Sequence, residues 1–172
     1  MNYYNHIAEG YEELHKEEQL TKLELIKESL EKLKINIKQE SRLLDVGCGT
    51  GISTRFWEFT NADKIGIDPS EKLIEIAQIK DLKSQYFVES AENLSFEDSL
   101  FDFIISLTAI QNFEDIEKGL KEILRVSKNH IVLSFLKKSD KKDKILSLIK
   151  RDLNVLNEIE EEKDIILICS KK

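Results

Sequence analysis

Three glycines directly after a buried-strand pattern constrain this chain more than any other feature. Residues 43–51 read Leu-Leu-Asp-Val-Gly-Cys-Gly-Thr-Gly, which places three of the six glycines within five positions. Glycine adopts backbone conformations, and permits a close ligand approach, that a Cβ forbids. Residues 52–60 can open a helix, whose first amide groups would point into the same crevice. Strand, turn and helix therefore predict a nucleotide-type pocket.

The glycine spacing separates two kinds of pocket. A dinucleotide fingerprint, Gly-x-Gly-x-x-Gly, needs a third glycine where this chain has Ile52, counting from Gly47, or Thr54, counting from Gly49. The pattern Asp-x-Gly-x-Gly-x-Gly, starting at Asp45, instead resembles motif I of the class I S-adenosylmethionine-dependent methyltransferases, in particular their small, single-domain, type 11-like members. A glycine turn without a ligand and a nicotinamide-dependent oxidoreductase stay open as alternatives.

Composition indicates one globular domain. The chain has 172 residues, of which 41% are hydrophobic and 34% charged, so we expect a single domain over 1–172. No apolar run approaches the roughly 18 residues of a membrane span, and the N-terminus does not resemble a signal peptide. These features predict a cytoplasmic protein without membrane attachment. Cys48 and Cys169 lack metal-ligand spacing, so we expect neither a disulfide nor a metal site.

The charge distribution bears on possible partners. A net charge of −7 argues against strong unaided binding to nucleic acid, without excluding it. Residues 137–151 carry a local basic excess, which we interpret as the solvated face of an amphipathic helix.

Hydrophobic periodicity predicts alternating strands and helices after a helical N-terminal segment. We expect helix over 2–38, with 1–40 acting as a lid and 41–172 as the cofactor-binding core. The elements predicted within the core are strands at 42–46, 64–67, 85–89, 101–107 and 130–136, helices at 52–60, 70–82, 113–126 and 140–153, and a terminal antiparallel hairpin of strands at 154–160 and 165–169. This order is similar to the methyltransferase fold, which implies a doubly wound, Rossmann-like α/β architecture with a seven-stranded sheet.

Asp68 lies at the end of the second predicted strand, followed by Pro69 and Ser70. A carboxylate at this place can accept hydrogen bonds from both hydroxyls of a ribose. The resemblance implies that Asp68 and Pro69 contact the cofactor. A purely structural role at the helix start, with Ser70 as the cap, is compatible with ribose binding.

Further cofactor contacts follow from the resemblance. Ser90, Ala91 and Glu92 match the segment that holds the adenine, although Ser90 replaces the usual Asp, so the backbone N–H of Ala91 becomes the steadier contact. The glycine turn contributes Gly47, Cys48, Gly49 and Gly51, and the end of the fourth strand contributes the carbonyl of Leu107. Asp45 either lies beside the ammonium group of the cofactor or orders the glycine loop.

The acceptor side carries weaker signals. Gln111 and Asn112 follow the fourth strand, where they either orient a substrate or cap the next helix. Residues 3–11 resemble a Tyr-x-x-Ile-Ala-x-x-Tyr segment that forms a lid in many small methyltransferases. His6, Tyr11 and Asn112 are therefore candidate catalytic residues, and His6 or His15 has the right chemistry for a base. Packing of these aromatic and histidine side chains on the domain is the alternative.

The resulting hypothesis is an S-adenosylmethionine-dependent methyltransferase that acts on an undetermined acceptor, with a small molecule as our first choice. One alternative is an enzyme for tRNA or a translation-related protein that needs a small zinc-binding activator subunit. A second is a non-catalytic cofactor-binding module.

Overall fold

A seven-stranded sheet with helices on both faces organises the molecule. The computed structural model describes the backbone of residues 3–172 and the side chains of residues 15–172. The strands are β1 (Arg42–Val46), β2 (Asp63–Asp68), β3 (Gln85–Val88), β4 (Phe101–Ser106), β5 (Ser127–Leu136), β6 (Leu153–Glu160) and β7 (Asp164–Lys171). The helices are α1 (Tyr3–Lys32), α2 (Ile52–Phe56), α3 (Glu71–Lys80), α4 (Ile116–Val126) and α5 (Lys142–Asp152).

The strand order is β3-β2-β1-β4-β5-β7-β6. Strands β1 to β5 run parallel, whereas β7 is antiparallel to both of its neighbours, β5 and β6. The predicted Rossmann-like class and the antiparallel terminal strands are confirmed. The order reverses between β1 and β4, and such a switch point opens a crevice at the carboxyl ends of the strands.

Alternating strand residues divide the core into two layers. The larger layer packs the sheet against α4 and α5, with Leu44, Ile104 and Leu167 in its centre. The layer on the opposite face packs the sheet against α1 and includes Leu43 and Trp57. Because successive side chains of a strand point to opposite faces, neighbours such as Leu43 and Leu44 belong to different layers.

Several predicted boundaries differ from the observed ones, including the start of β5 at Ser127 instead of residue 130, and three of the larger differences concern helices. Helix α1 ends at Lys32 instead of residue 38, because Lys34 takes a left-handed conformation (φ 59°) and the chain then continues without helical structure. The helix after the glycine turn has only five residues and continues as a short 3₁₀ helix, Trp57–Thr60. Helix α4 begins at Ile116 instead of residue 113, because Phe113 and Asp115 have extended backbone conformations and Asp115 is the N-cap.

None of the helices in the described part of the chain combines the length and the apolar character that a membrane crossing requires. The two cysteines, Cys48 and Cys169, are buried free thiols.

Candidate active site

A cleft opens at the switch point, between the ends of β1, β2 and β4. It has a volume of about 80 Å³, and its lining consists of Gly47, Asp68, Pro69, Leu107, Thr108, Ala109, Asn112 and Phe113. The predicted residues Gly47, Asp68, Pro69, Leu107 and Asn112 thus come together, although they are spread over 66 sequence positions (112 − 47 + 1). Asp68 is the one ionisable side chain in this lining set.

The glycine turn follows β1 and needs its glycines. Gly47, Gly49 and Gly51 have φ angles of 75°, 55° and 83°, a region that other residues rarely adopt. A Cβ on Gly47 would lie 2.5 Å from the Cβ of Ala109, and one on Gly51 would lie 2.6 Å from the Tyr86 hydroxyl oxygen. The backbone therefore forms the surface of the turn that neighbouring elements approach.

Asp68 stands at the carboxyl tip of β2 and lines the cleft. Its Oδ2 accepts a hydrogen bond from Gly49 N at 3.0 Å, and its Oδ1 accepts one from Ser70 N at 2.9 Å. Burial raises the pKa of Asp68, and these two backbone donors counteract the rise. Ser70 caps α3 as predicted, because its Oγ accepts from Leu73 N at 3.3 Å. A carboxylate oxygen has more than one acceptor site, so each can take a further hydrogen bond.

Asp45 lies beneath the turn and is only 1% exposed. Its Oδ2 accepts a hydrogen bond from the Thr54 hydroxyl of α2 at 2.7 Å. Burial raises the pKa of Asp45 to about 7, the Thr54 hydrogen bond opposes this rise, and the charge of Asp68 adds to it. The structure therefore shows Asp45 tying β1 to α2. Its predicted contact with the cofactor stays a prediction.

Other predicted cofactor residues lie apart from the lining. The Cys48 side chain packs in a small cluster with Ile74, Ala77 and Tyr86, and its Sγ donates to the carbonyl of Gly49 at 3.6 Å. Burial raises the pKa of this thiol well above its ordinary value.

The loop after β3 stands beside the cleft and carries the predicted adenine segment. Ser90 O accepts a hydrogen bond from Asn93 N, and the Ala91 side chain is 5% exposed within the larger core layer. Glu92 Oε1 accepts from Asp115 N at 3.2 Å, ahead of α4. None of these three residues is part of the cleft lining, and their contacts with a cofactor stay predictions.

The acceptor-side candidates separate in the structure. Asn112 lines the cleft, whereas the Gln111 side chain is 9% exposed and donates through Nε2 to the carbonyl of Thr108 at 2.9 Å. Neither caps α4, because Asp115 does so by accepting from Lys118 N at 3.0 Å. The side chains of His6 and Tyr11 lie outside the described residues. His15 is close to Glu18, with 3.9 Å between Nδ1 and Oε2, and is not part of the cleft lining.

The segment from Ala109 to Phe113 was expected at the substrate edge of the sheet, but the roles of two of its apolar residues and of Tyr86 were not predicted. Ala109 and Phe113 form an apolar wall of the cleft, and Tyr86 supports the turn while its hydroxyl donates to Asp81 at 2.8 Å. No local pattern marks Tyr86, because its contact with Gly51 joins residues 35 positions apart (86 − 51).

The chemistry of the cleft suits S-adenosylmethionine. A buried carboxylate with spare acceptor sites fits the hydroxyls of a ribose, and a turn without Cβ atoms admits a ligand against its backbone. The apolar wall fits the hydrocarbon part of a methyl donor. The five-residue helix α2 offers less dipole support than the nine-residue helix that we expected over 52–60.

Comparison with known proteins agrees with this geometry. Residues 44–135 match the family described as "Methyltransferase domain". The uncharacterized protein MJ1123 of Methanocaldococcus jannaschii is 32% identical over 165 residues, covering 91% of this chain and 75% of that protein. A demethylmenaquinone methyltransferase of Staphylococcus saprophyticus is 36% identical over 100 residues, or 55% of this chain.

Several relatives are longer than this chain. It spans 43% of the staphylococcal enzyme and 49% of a second M. jannaschii protein, MJ1252. Among solved structures, a putative methyltransferase of Haloferax volcanii, in complex with the Trm112 methyltransferase activator, has the same fold with a TM-score of 0.78. That match is 14% identical and covers 99% of this chain and 98% of the other. The family match over 44–135, together with the geometry of the cleft, shows that the chain belongs to the class I S-adenosylmethionine-dependent methyltransferases.

Proposed function

We propose that this chain binds S-adenosylmethionine across the glycine turn and Asp68, and that it methylates a small molecule held against Asn112 and Phe113. When bound, the cofactor would supply a sulfonium methyl group: the lone pair of the acceptor would form a bond to the methyl carbon as the carbon–sulfur bond breaks, and the electron pair of that bond would leave with the sulfur as the neutral thioether S-adenosylhomocysteine. The residues of the chain bind, align and exclude water, and such positioning accounts for a large part of the rate in reactions of this kind.

The observation that carries the proposal is the placement of Asp68. Its two oxygens accept hydrogen bonds from Gly49 N and Ser70 N, at 3.0 and 2.9 Å, and the residue lines the cleft. This arrangement presents the remaining acceptor sites of a buried carboxylate to a ligand on the glycine turn. We assign Asp68 to the ribose hydroxyls, and Gly47 and Leu107 to the backbone contacts beside the methionine part.

Two observations support a small acceptor. The cleft wall beyond Asp68 is apolar, formed by Leu107, Ala109 and Phe113. The staphylococcal relative, 36% identical over the shared 100 residues, is named for the methylation of a small molecule, demethylmenaquinone.

Calorimetry with S-adenosylhomocysteine tests the proposal. We expect micromolar binding by the wild type and at least about thirtyfold weaker binding by Asp68→Ala, because hydrogen bonds to a charged group contribute about 1.5–3 kcal/mol each. Asp63→Ala is the matched control, since Asp63 is an exposed carboxylate at the other end of the same strand. Absence of binding by the wild type, or equal affinity of the Asp68→Ala variant, would refute the assignment.

A second candidate is methylation of tRNA or a translation-related protein with an activator subunit. It is favoured by exposed apolar side chains at the β3 edge of the sheet and the end of α3, where Ile79, Leu82, Phe87 and Val88 are 79%, 91%, 42% and 50% exposed. Such an edge can pair with another chain. The Haloferax neighbour, which matches this chain over 99% of its length, is bound to an activator.

Gel filtration with the Trm112 protein of H. volcanii tests this candidate. A complex that Phe87→Asp abolishes would favour it. Leu156→Asp is the control, because Leu156 is equally exposed (42%) on the opposite edge strand, β6. If no complex forms, or if both variants bind alike, the candidate loses its support.

A further inference from the structure

A buried ion pair joins α1 to the start of β7. Lys22 Nζ lies 3.2 Å from Asp164 Oδ2, and the two residues are 4% and 0% exposed. Burying both charges carries a desolvation cost that good geometry only offsets. The apolar residues of α1 in the core layer, such as Leu23 and Ile26, already attach this helix to the sheet. Attachment of α1 alone therefore does not account for the pair.

Both charges converge on the hydroxyl of Thr108. Lys22 Nζ donates to Thr108 Oγ1 at 2.9 Å, and Thr108 Oγ1 donates to Asp164 Oδ2 at 2.6 Å. Ser134 Oγ donates to the same carboxylate oxygen at 3.0 Å. The other oxygen, Oδ1, is buried and has no hydrogen-bond partner among the described residues. A single oxygen of the Asp164 carboxylate, Oδ2, thus contacts Lys22, Thr108 and Ser134.

Thr108 itself has an unfavourable backbone conformation. Its φ is 52°, in the left-handed region that β-branched residues rarely occupy. Its N–H donates to Ser134 Oγ at 2.9 Å, and its carbonyl accepts from Gln111 Nε2 at 2.9 Å. Every polar group of Thr108 is therefore engaged, which is how a strained residue is kept in place by its surroundings.

The strained residue is also part of the cleft. Thr108 lines it together with Leu107 and Ala109, and a Cβ on Gly47 would approach Ala109 to 2.5 Å. A change in the Thr108 backbone would therefore move this wall relative to the glycine turn. Lys22 and Asp164 do not belong to the lining, and Thr108 is the lining residue to which both are hydrogen-bonded.

We propose that Lys22 and Asp164 are positioning residues, which hold Thr108 in its left-handed conformation and so couple the attachment of α1 to the shape of the cofactor cleft. The inference rests on the proposed function, because it takes the cleft as the S-adenosylmethionine site. Coupling of this kind is reciprocal: the ligand stabilises attached α1, and attached α1 strengthens ligand binding.

The test combines calorimetry with S-adenosylhomocysteine and hydrogen exchange of the α1 amides over residues 15–32. In the wild type, we expect the ligand to slow exchange in α1. Lys22→Met and Thr108→Val should bind at least tenfold more weakly and should lose this protection. Thr108→Ser, which keeps the hydroxyl, should retain both properties. Lys32→Met serves as control, because Lys32 is an exposed lysine of the same helix.

A role in stability alone gives a different result. The double variant Lys22→Met/Asp164→Leu replaces the pair by apolar side chains, which commonly preserves stability, and we still expect weak binding and no protection. Wild-type affinity in this variant or in Thr108→Val would overturn the inference. If Lys22→Met does not fold, the Thr108→Val variant alone tests the inference. It removes the hydroxyl but keeps the ion pair between Lys22 and Asp164. A wild type that does not bind the ligand refutes the proposed function, and this inference with it.

Discussion

At the scale of the residue, Asp45 shows how burial under the glycine turn changes an ordinary carboxyl group. The side chain is 1% exposed, and the Thr54 hydroxyl at 2.7 Å is its short hydrogen bond. Because desolvation disfavours the charged form more than this bond favours it, the pKa of Asp45 rises to about 7. A group with this pKa changes its charge near neutral pH. This change takes place next to Asp68, the residue that we expect to bind the cofactor.

The raised pKa predicts a specific dependence of stability on pH. The folded value of about 7 lies above the ordinary 3.8, so the contribution of Asp45 is fully present below about pH 4 and is lost as pH rises through 7. The unfolding free energy of the wild type, relative to that of Asp45→Asn, should fall by up to about 4 kcal/mol between pH 4 and 8.

Urea unfolding of both proteins across this pH range measures the difference. Asp63→Asn, at the exposed end of β2, should track the wild type within a few tenths of a kcal/mol. Parallel pH curves for the wild type and Asp45→Asn would contradict the burial argument.

At the scale of the element, Arg125 of α4 fixes the loop that leads from β3 to β4. Its guanidinium donates to the carbonyls of Leu94 and Phe96, at 3.0 and 2.7 Å, and to the carboxylates of Asp98 and Glu122, each at 2.8 Å in its shortest contact. The pKa of Arg125 is raised, chiefly by Glu122 and then by Asp98. One planar side chain thus forms hydrogen bonds both to the loop and to a carboxylate of its own helix.

We expect Arg125→Lys to behave as a non-conservative change. An ammonium group cannot reproduce the fork of donors, so the unfolding free energy should fall by about 1–2 kcal/mol, and amide exchange over residues 94–99 should accelerate. Lys121→Met is the control on the same helix, because Lys121 forms an exposed pair with Glu117 at 3.5 Å. Such pairs contribute little. An equal loss of unfolding free energy in Arg125→Lys and Lys121→Met would show that the contacts of Arg125 with the loop do not stabilise the protein.

At the scale of the whole molecule, β7 joins the two core layers. It lies between β5 and β6, and its residues alternate between the layer with α4 and α5, which contains Leu167, and the layer with α1, which contains Ile166 and Ile168. A strand buried on both faces explains the continuous apolar run that the sequence shows there.

A single cooperative unfolding transition follows from this placement. Leu167→Ala should lower the unfolding free energy by about 2–5 kcal/mol, as for other large-to-small core changes. The fluorescence of Trp57, which belongs to the opposite layer, should lose its native signal at the same lowered urea concentration as far-ultraviolet circular dichroism. Leu156→Ala, on the half-exposed edge of the sheet, should shift neither signal by much. Separate midpoints for the two probes in Leu167→Ala would show that the layers unfold independently.

The agreement between sequence and structure depends on how local each signal is. Ser70 as the cap of α3, and the antiparallel β7, were predictable because each depends on a short pattern of neighbouring residues. The end of α1 was not predictable from periodicity, because Ile37 follows Leu33 at the four-residue spacing of a helix although it packs on the core beyond the end of the helix. The same limit applies to α4, because Phe113 continues the apolar spacing of Ile116 and Leu120 although its backbone is extended ahead of the Asp115 cap.

The class of fold, the glycine turn and the position of Asp68 at the tip of β2 could all be predicted from the sequence alone. These depend on glycine content, hydrophobic period and the spacing of a few residues, which act over short distances along the chain. Which side chains meet in and behind the cleft depends on the packing of the whole sheet. Thr108, Lys22 and Asp164 belong to three separate segments, and their cluster exists because the sheet order brings α1, β4 and β7 to one edge. No local pattern encodes contacts across 86 or 56 positions.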